Sequence, residues 1–231
     1  MSTRRGGASR GAFDSLNLGA HVGDDPPAVA ENRQRWARTV PGQIGWLNQV
    51  HGAQVVEAGT WGPGSTPAAD AVFSTRVGQA CTVLVADCLP MLLCTADGSA
   101  VAAAHAGWRG LAAGVLENTV QALTRAAGVA PGALRAWLGP CIGPQQFEVG
   151  DEVREAFGPH ERSAFRPHVR SDGSRAWLGD LIALSRARLQ AAGVSAVAGG
   201  HWCTVSAPSD FFSHRRDGVS GRMAAVIVRT L

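Results

Sequence analysis

Lysine and tyrosine are both missing from this chain: all 21 of its Lys+Arg residues are arginine. Their absence excludes Schiff-base catalysis, a Walker-type lysine and a tyrosine general acid. The five cysteines are odd in number and form no CxxC pair, which argues against a secreted disulfide framework. No apolar run approaches a membrane span and no signal-type apolar stretch follows the start, so no membrane partner and a cytoplasmic location are expected. A net charge of +3 is small for 231 residues, and the arginines are scattered rather than striped with aromatics, so no nucleic-acid partner is expected either. The basic, Gly- and Ser-rich, acid-free start reads as a disordered tail over 1–12. Residues 13–231 remain as one domain.

That domain is 45% apolar and can bury a proper core. Asp24 or Asp25 followed by Pro26-Pro27 predicts a helix start, with Val29, Trp36 and Val40 as a thin apolar face and Pro41-Gly42 as its stop. Ile44 to Val50 and Gln54 to Glu57 read as strands flanking a turn at His51-Gly52. Thr60 to Ala69, with Pro63 and Pro67, reads as a surface loop. Ala80 to Ala86, Met91 to Thr95 and Ala100 to Ala104 are near-continuous apolar strands, the last two joined by an Asp97-Gly98 turn. Trp108 to Ala127 has helical spacing and ends at Gly128. Leu134 to Leu138 is a strand, Gly150 to Phe157 and Leu178 to Ala192 are helices, and Phe211 to His214 and Met223 to Val228 are strands. The expected fold class is α/β (α+β), a single domain.

The residues that carry chemistry sit where those runs end. Cys88 breaks the apolar run in Val85-Ala-Asp-Cys-Leu-Pro90, His105 ends the next strand ahead of Ala106-Gly-Trp-Arg-Gly110, and His51 lies in Gln49-Val-His-Gly52. Two imidazoles and a thiolate form a tridentate set suited to zinc, with a fourth position open for water or substrate. The separations, 88 − 51 = 37 and 105 − 88 = 17 residues, match no compact zinc-finger pattern. Spacing therefore leaves two other readings open: a metal-free hydrolase using Cys88 and His105, and a non-catalytic binding protein whose zinc only stabilises the fold.

Neighbouring residues have competing roles. Asp87 is a candidate general base, second partner of the ligands or turn cap. The turn from Ala106 through Gly107 to Gly110 offers backbone N–H groups and the Arg109 guanidinium to an anion such as phosphate. The same glycines would also serve a merely tight strand-to-helix connection. Arg215 and Arg222 are further arginines for an anion. Cys81 and Cys94 lie within apolar runs and read as packing residues. Cys141, in Gly139-Pro-Cys-Ile-Gly-Pro144, lies in a rigid loop.

Taken in order, Asn17-Leu-Gly with His21-Val-Gly-Asp-Asp25, Gln49-Val-His-Gly52, Ala86-Asp-Cys-Leu-Pro90, His105-Ala-Gly-Trp-Arg-Gly110, Leu138-Gly-Pro-Cys-Ile-Gly143 and Ser213-His-Arg-Arg-Asp-Gly218 form a specific series. The chain resembles the laccase-domain (multi-copper polyphenol oxidoreductase) family, understood as zinc-dependent purine nucleoside enzymes. The resemblance implies mixed sheets sandwiched by helices, similar to the catalytic domain of cytotoxic necrotising factor. It implies His51, Cys88 and His105 as zinc ligands, with Cu2+ as an alternative occupant. It implies phosphorolysis of adenosine, inosine, guanosine and S-methyl-5'-thioadenosine, and deamination of adenosine. Purine nucleosides and phosphate are then the partners. Asp87 and Cys88 join Arg109 as expected catalytic residues, with Asn17, Gly107, Arg109, Arg215 and Arg222 as expected substrate or phosphate contacts. Phe147 stands where the family often has tyrosine, so a hydroxyl contact is absent there, and His214 stands where tyrosine or phenylalanine is common. Seven histidines with no His-x-His pair argue against a true multicopper laccase.

Overall fold

Strands of period two, apolar on both faces, dictate a layered molecule, and the computed structural model, which describes residues 1–62 and 64–230, has that build. Pro63, part of the loop expected over 60–69, lies outside the described residues, as does Leu231. In chain order the elements are α1 (Pro26–Ala37), β1 (Gln43–Ile44), β2 (Val55–Glu57), β3 (Ala71–Ser74), β4 (Gln79–Val85), β5 (Leu89–Thr95) and β6 (Val101–Ala106). They continue with α2 (Trp108–Ala112), α3 (Val115–Ala127), β7 (Leu134–Leu138), β8 (Glu148–Val149), α4 (Asp151–Glu155), β9 (Phe165–Val169), β10 (Arg175–Gly179), α5 (Leu181–Ala191), β11 (Ala196–Gly199), α6 (His214–Asp217) and β12 (Met223–Val228).

A six-stranded mixed sheet, in the order β11-β7-β5-β6-β3-β2, is the centre. Alternate residues of its strands point to opposite layers. Leu89, Met91 and Leu93 of β5 and Ala102, Ala104 and Ala106 of β6 pack with Leu111, Val115, Leu116, Val120 and Leu123 of the helical layer. From the same two strands, Val101, Ala103, Leu92 and Cys94 face the three-stranded sheet β1-β4-β12, meeting Cys81, Val83 and Ala225. The far side of that second sheet carries Ala80, Leu84, Ala224 and Val226, which α1 covers with Trp36. The layers thus run helices, large sheet, small sheet, helix. A third, antiparallel sheet, β8-β10-β9, joins α5 and the main core through Phe147, Val149 and Phe165. No helix among the described residues is long and apolar enough to cross a membrane.

Local chemistry accounts for the boundaries. The Asp25 carboxylate accepts from the Ala28 N–H at the start of α1, and Asp180 accepts from Ile182 and Ala183 at the start of α5. The helix expected from Leu178 to Ala192 therefore begins after Asp180, and its first two residues belong to β10. The single helix expected over 108–127 is two, because Gly114 takes φ 90° and breaks the chain between α2 and α3. The expected strand from Ile44 to Val50 joins a sheet only at Ile44 and otherwise makes a single isolated bridge, Asn48 to Ala68. Beyond it, the Gln49 side-chain amide accepts from Leu84 N at 2.7 Å and donates to Leu84 O at 2.8 Å, replacing a backbone partner. Phe211 to His214 is not a strand: Phe211 and Phe212 are both buried, and the Ser213 hydroxyl caps α6 by accepting from Arg216 N.

The segment 1–12, expected as a disordered tail, is instead held by the body of the molecule. Ser2 exchanges hydrogen bonds with Ala224, its N–H donating to Ala224 O at 2.8 Å and its hydroxyl accepting from Ala224 N at 3.0 Å. The buried Asn32 side chain accepts from Ala8 N and donates to the Ser9 hydroxyl. Composition described the segment as polar; it did not show that Asn32 and β12 offer partners for its backbone.

Candidate metal centre and its pocket

The site forms where strand ends of the six-stranded sheet and of the β1-β4-β12 sheet meet. β4 in the small sheet ends at Val85 and β5 in the large one begins at Leu89, so the Ala86-Asp87-Cys88 turn must cross between layers. That crossing is tight enough to put Asp87 at φ 84°. His105 stands opposite Pro90 in the β5–β6 register, so it lies next to the Cys88 turn. His51 reaches the same place from a loop, at φ 58°. One ligand atom from each of His51, Cys88 and His105 falls within 4.8 Å of the others, and the set runs from exposed His51 inward to buried His105. The Cys88 Sγ to His51 Nε2 distance is 3.8 Å, and the two imidazole rings meet edge to face with centroids 4.8 Å apart.

Asp70, which the sequence reading passed over, organises this set. It is fully buried, and its Oδ1 accepts from His105 Nδ1 at 2.8 Å and from His51 N at 2.9 Å. Its Oδ2 accepts from Val50 N and Gly52 N at 3.1 and 2.7 Å. Placing the proton on His105 Nδ1 leaves Nε2 directed to Cys88, the arrangement typical of metal-ligating histidine. Burial raises the Asp70 carboxyl, but the hydrogen bonds from His105 and the backbone outweigh it and hold it below its ordinary value. Burial likewise opposes ionisation of the Cys88 thiol, yet the His105 charge and hydrogen bonds from His105 and His51 bring it down to about 6. The Cys88 charge and the Asp70 hydrogen bond push His105, against its burial, up to about 9. A thiolate beside two imidazoles is a donor set that can hold a metal ion, displacing the imidazolium proton on binding.

Glycine gives the ligands room. A Cβ on Gly107 would lie 2.9 Å from both Cys88 Sγ and His51 Cδ2, and one on Gly110 would lie 2.7 Å from Gly52 O. The tight connection and the site are therefore the same feature.

Beside the ligands opens a cavity of about 470 Å³, lined among others by His51, Cys88, Trp108, Arg109, Phe147 and Arg215. Of the residues expected to contact substrate, Gly107, Arg109 and Arg215 lie on its wall. Asn17 and Arg222 do not; they hold each other, Arg222 N donating to Asn17 Oδ1 at 2.8 Å, while the Arg222 guanidinium is used on Ser220 and Gly221. Arg215 donates through Nη1 to Gln146 O and Glu148 O. Arg109 differs: it is exposed, lies over the Trp108 ring at 4.3 Å, and among the described residues makes no ion pair. Asp87 lines the cavity, but its carboxylate is engaged, accepting from Thr204 Oγ1 at 2.5 Å, Ser213 Oγ at 3.0 Å and Arg215 N at 2.7 Å. Glu148, Glu152 and Arg170 also line the cavity and were not anticipated. They follow the Leu138–Gly143 motif by 148 − 143 = 5, 152 − 143 = 9 and 170 − 143 = 27 residues, with no motif of their own.

Comparison with known proteins places this geometry. The chain is 51% identical over 227 residues to "Purine nucleoside phosphorylase PA4543" of Pseudomonas aeruginosa, an alignment covering 98% of this chain and 91% of that one. It is 48% identical to "Purine nucleoside phosphorylase YfiH" of Escherichia coli, with the same coverage. Among solved structures, the Neisseria meningitidis protein NMB0706 superposes with a TM-score of 0.92 at 48% identity, covering 98% of this chain and 91% of that one. YlmD from Geobacillus stearothermophilus gives 0.90 at 34% identity, covering 99% and 90%. A family model matches residues 1–230, and the chain belongs to the family it describes, the multi-copper polyphenol oxidoreductase laccases.

Proposed function

We propose that this protein is a zinc-dependent purine nucleoside phosphorylase that also deaminates adenosine. The observation that carries the reading is the pairing of a three-donor centre with the unpaired Arg109 guanidinium on the wall of one cavity. The names of the Pseudomonas and Escherichia relatives support the phosphorylase part of the reading. Two imidazoles and a thiolate fit zinc by donor type and number, leaving a position for substrate. When bound, zinc supplies a Lewis acid beside the cavity. Copper competes for the same donors. A multicopper oxidation would need further copper centres, and among the described residues His51, Cys88 and His105 form the one cluster of this kind.

The chain's own residues then divide the tasks. Arg109, pre-oriented by its stack on Trp108, binds phosphate and places it for attack on the ribose C1′ as the purine leaves. Trp108 and Phe147 give the cavity apolar surface for the purine. Asp70 orients His105. Asp87, with its carboxylate engaged, acts as a positioning residue: it fixes Arg215 N and the Thr204 and Ser213 hydroxyls around the turn that carries Cys88. Arg215 in turn braces the backbone at Gln146 and at Glu148, which also lines the cavity.

The test is chromatography of adenosine incubated with zinc-loaded and metal-free protein, with and without phosphate. Phosphate-dependent adenine and ribose 1-phosphate from the zinc form alone are expected, with inosine reporting deamination. Arg109→Gln is expected to raise the KM for phosphate by roughly 10- to 100-fold, the value of a charged hydrogen bond. Equal activity in the metal-free form, or an unchanged phosphate KM in Arg109→Gln, overturns the assignment.

A further inference from the structure

Behind the cavity wall two cysteines face each other outside the metal-binding set. Cys141 and Cys203 are direct partners in an isolated parallel bridge. Cys141 N donates to Trp202 O at 3.4 Å, and Thr204 N donates to Cys141 O at 2.9 Å, so the two short ribbons are fixed in register. Neighbouring strands run about 4.8 Å apart, and directly paired residues in a parallel bridge project to one face. That separation falls inside the Cα range of roughly 4.4–6.8 Å that a disulfide requires. Gly143 N donates to Cys203 Sγ at 3.2 Å, and a Cβ on Gly143 would stand 3.2 Å from that sulfur. The Cys203 sulfur therefore lies over the 141–143 ribbon, on the side from which Cys141 is reached.

We propose that Cys141 and Cys203 form a reversible disulfide when the protein meets hydrogen peroxide, making this pair a redox modification site behind the wall of the cavity. Cys203 is half-buried and Cys141 is fully buried, so the oxidant reaches Cys203 first. Burial opposes ionisation of Cys203, but hydrogen bonds from Ser206, Gly143 and Val205 to its sulfur leave that thiol below its ordinary value, which favours the attacking thiolate. Burial drives the Cys141 thiol strongly up, so Cys141 is not the first thiol oxidised and serves as the resolving partner, giving up its proton as it attacks. The Cys203 thiolate attacks one oxygen of hydrogen peroxide, the O–O bond breaks, and the other oxygen leaves as water after proton uptake, giving a sulfenic acid. The Cys141 sulfur then attacks the Cys203 sulfur, the S–O bond breaks, and the Cys141 proton leaves with hydroxide as a second water. Two thiols lose two electrons and one hydrogen peroxide gains them.

The pair touches the site through its neighbours. Ile142 N donates to Asp87 O at 2.9 Å, and Thr204 Oγ1 donates to Asp87 Oδ1 at 2.5 Å. A bond from Cys141 to Cys203 would join the two ribbons that hold the Asp87 turn.

The experiment treats the metal-loaded full chain with hydrogen peroxide, alkylates remaining thiols and maps peptides without reductant. The expected result is one linked peptide pair carrying Cys141 and Cys203, erased by dithiothreitol, with Cys88 recovered unlinked. Cys203→Ser is expected to abolish the link. Cys141→Ser is expected to leave Cys203 as a sulfenic acid trapped by dimedone. Oxidation of Cys203 to sulfinic acid with Cys141 still alkylatable in the parent protein overturns the proposal, as does a link that includes Cys88 or the absence of any link.

Discussion

Asp70 accepts four hydrogen bonds with two oxygens in a fully buried position, and three of the four donors are consecutive backbone N–H groups. Those three bonds set the loop that carries His51, and the fourth sets the His105 ring, so a single carboxylate fixes two of the three candidate metal donors. Asp70→Asn keeps the volume but turns an amide N–H toward donors. We expect it to weaken zinc binding about 10- to 100-fold, the usual effect of removing such a partner, and to cost roughly 2–4 kcal/mol of stability from lost charged hydrogen bonds. Because folding depresses the Asp70 carboxyl, its contribution is complete above the unfolded value of about 3.9 and is lost as acid titrates the folded form. Parent and variant stabilities should therefore differ at neutral pH and converge in strong acid. Chelator competition and urea unfolding across pH would read both effects, and equal zinc affinity in the two proteins would contradict the role. His51, Cys88 and His105 were legible in the sequence because each ends an apolar run or sits in a glycine turn. Asp70 was not, since its partners stand 18 to 35 residues away and nothing beside it marks a bend.

Elements reveal themselves in sequence to the extent that one side chain type decides them. β4, β5, β6, β7 and β12 were readable from largely apolar runs, and α1 from its Asp25 cap and paired prolines. Gly114, one glycine within a helical period, was readable only as a weak point, because its left-handed φ is decided by how α2 and α3 pack. The β8-β10-β9 sheet was hidden because Trp177 and Leu178 suit a helix equally well, and β9 has a single buried residue, Phe165. Gly107 illustrates the opposite case, a residue whose need is structural and chemical together. It takes φ −69° and ψ 162°, which alanine adopts freely, so Gly107→Ala adds no backbone strain. The new methyl group instead presses on Cys88 and His51 from 2.9 Å. Overpacking of this kind costs about 1–3 kcal/mol, and here it falls on the donors. Zinc affinity is expected to drop by at least tenfold, with metal-free helical and sheet content unchanged by circular dichroism. Parent-like zinc titration of Gly107→Ala would show that the ligands have slack.

On the scale of the whole molecule, the first and last segments of the described chain close on each other and on the site. Ser2 extends the partners of β12, Arg4 N donates to Asp210 O, and the Arg4 guanidinium lies 4.6 Å over the Phe212 ring. Arg5 pairs with Asp210 at 2.9 Å, though that exposed pair contributes little. Phe212 leads directly into Ser213 and α6, whose Arg215 N–H the Asp87 carboxylate accepts. A continuous path of contacts therefore runs from the N-terminal segment to the turn that carries Cys88. Deleting residues 1–5 removes about four backbone hydrogen bonds at about 1 kcal/mol each and uncovers Phe212. The expected outcome is a loss of roughly 2–5 kcal/mol in urea unfolding, together with faster amide exchange concentrated in residues 207–217. Arg4→Ala should give a smaller change of the same pattern, since it leaves the backbone bonds in place. If exchange instead quickens only in β12, the N-terminal segment supports the small sheet alone and the wall of the cavity stands independently of it.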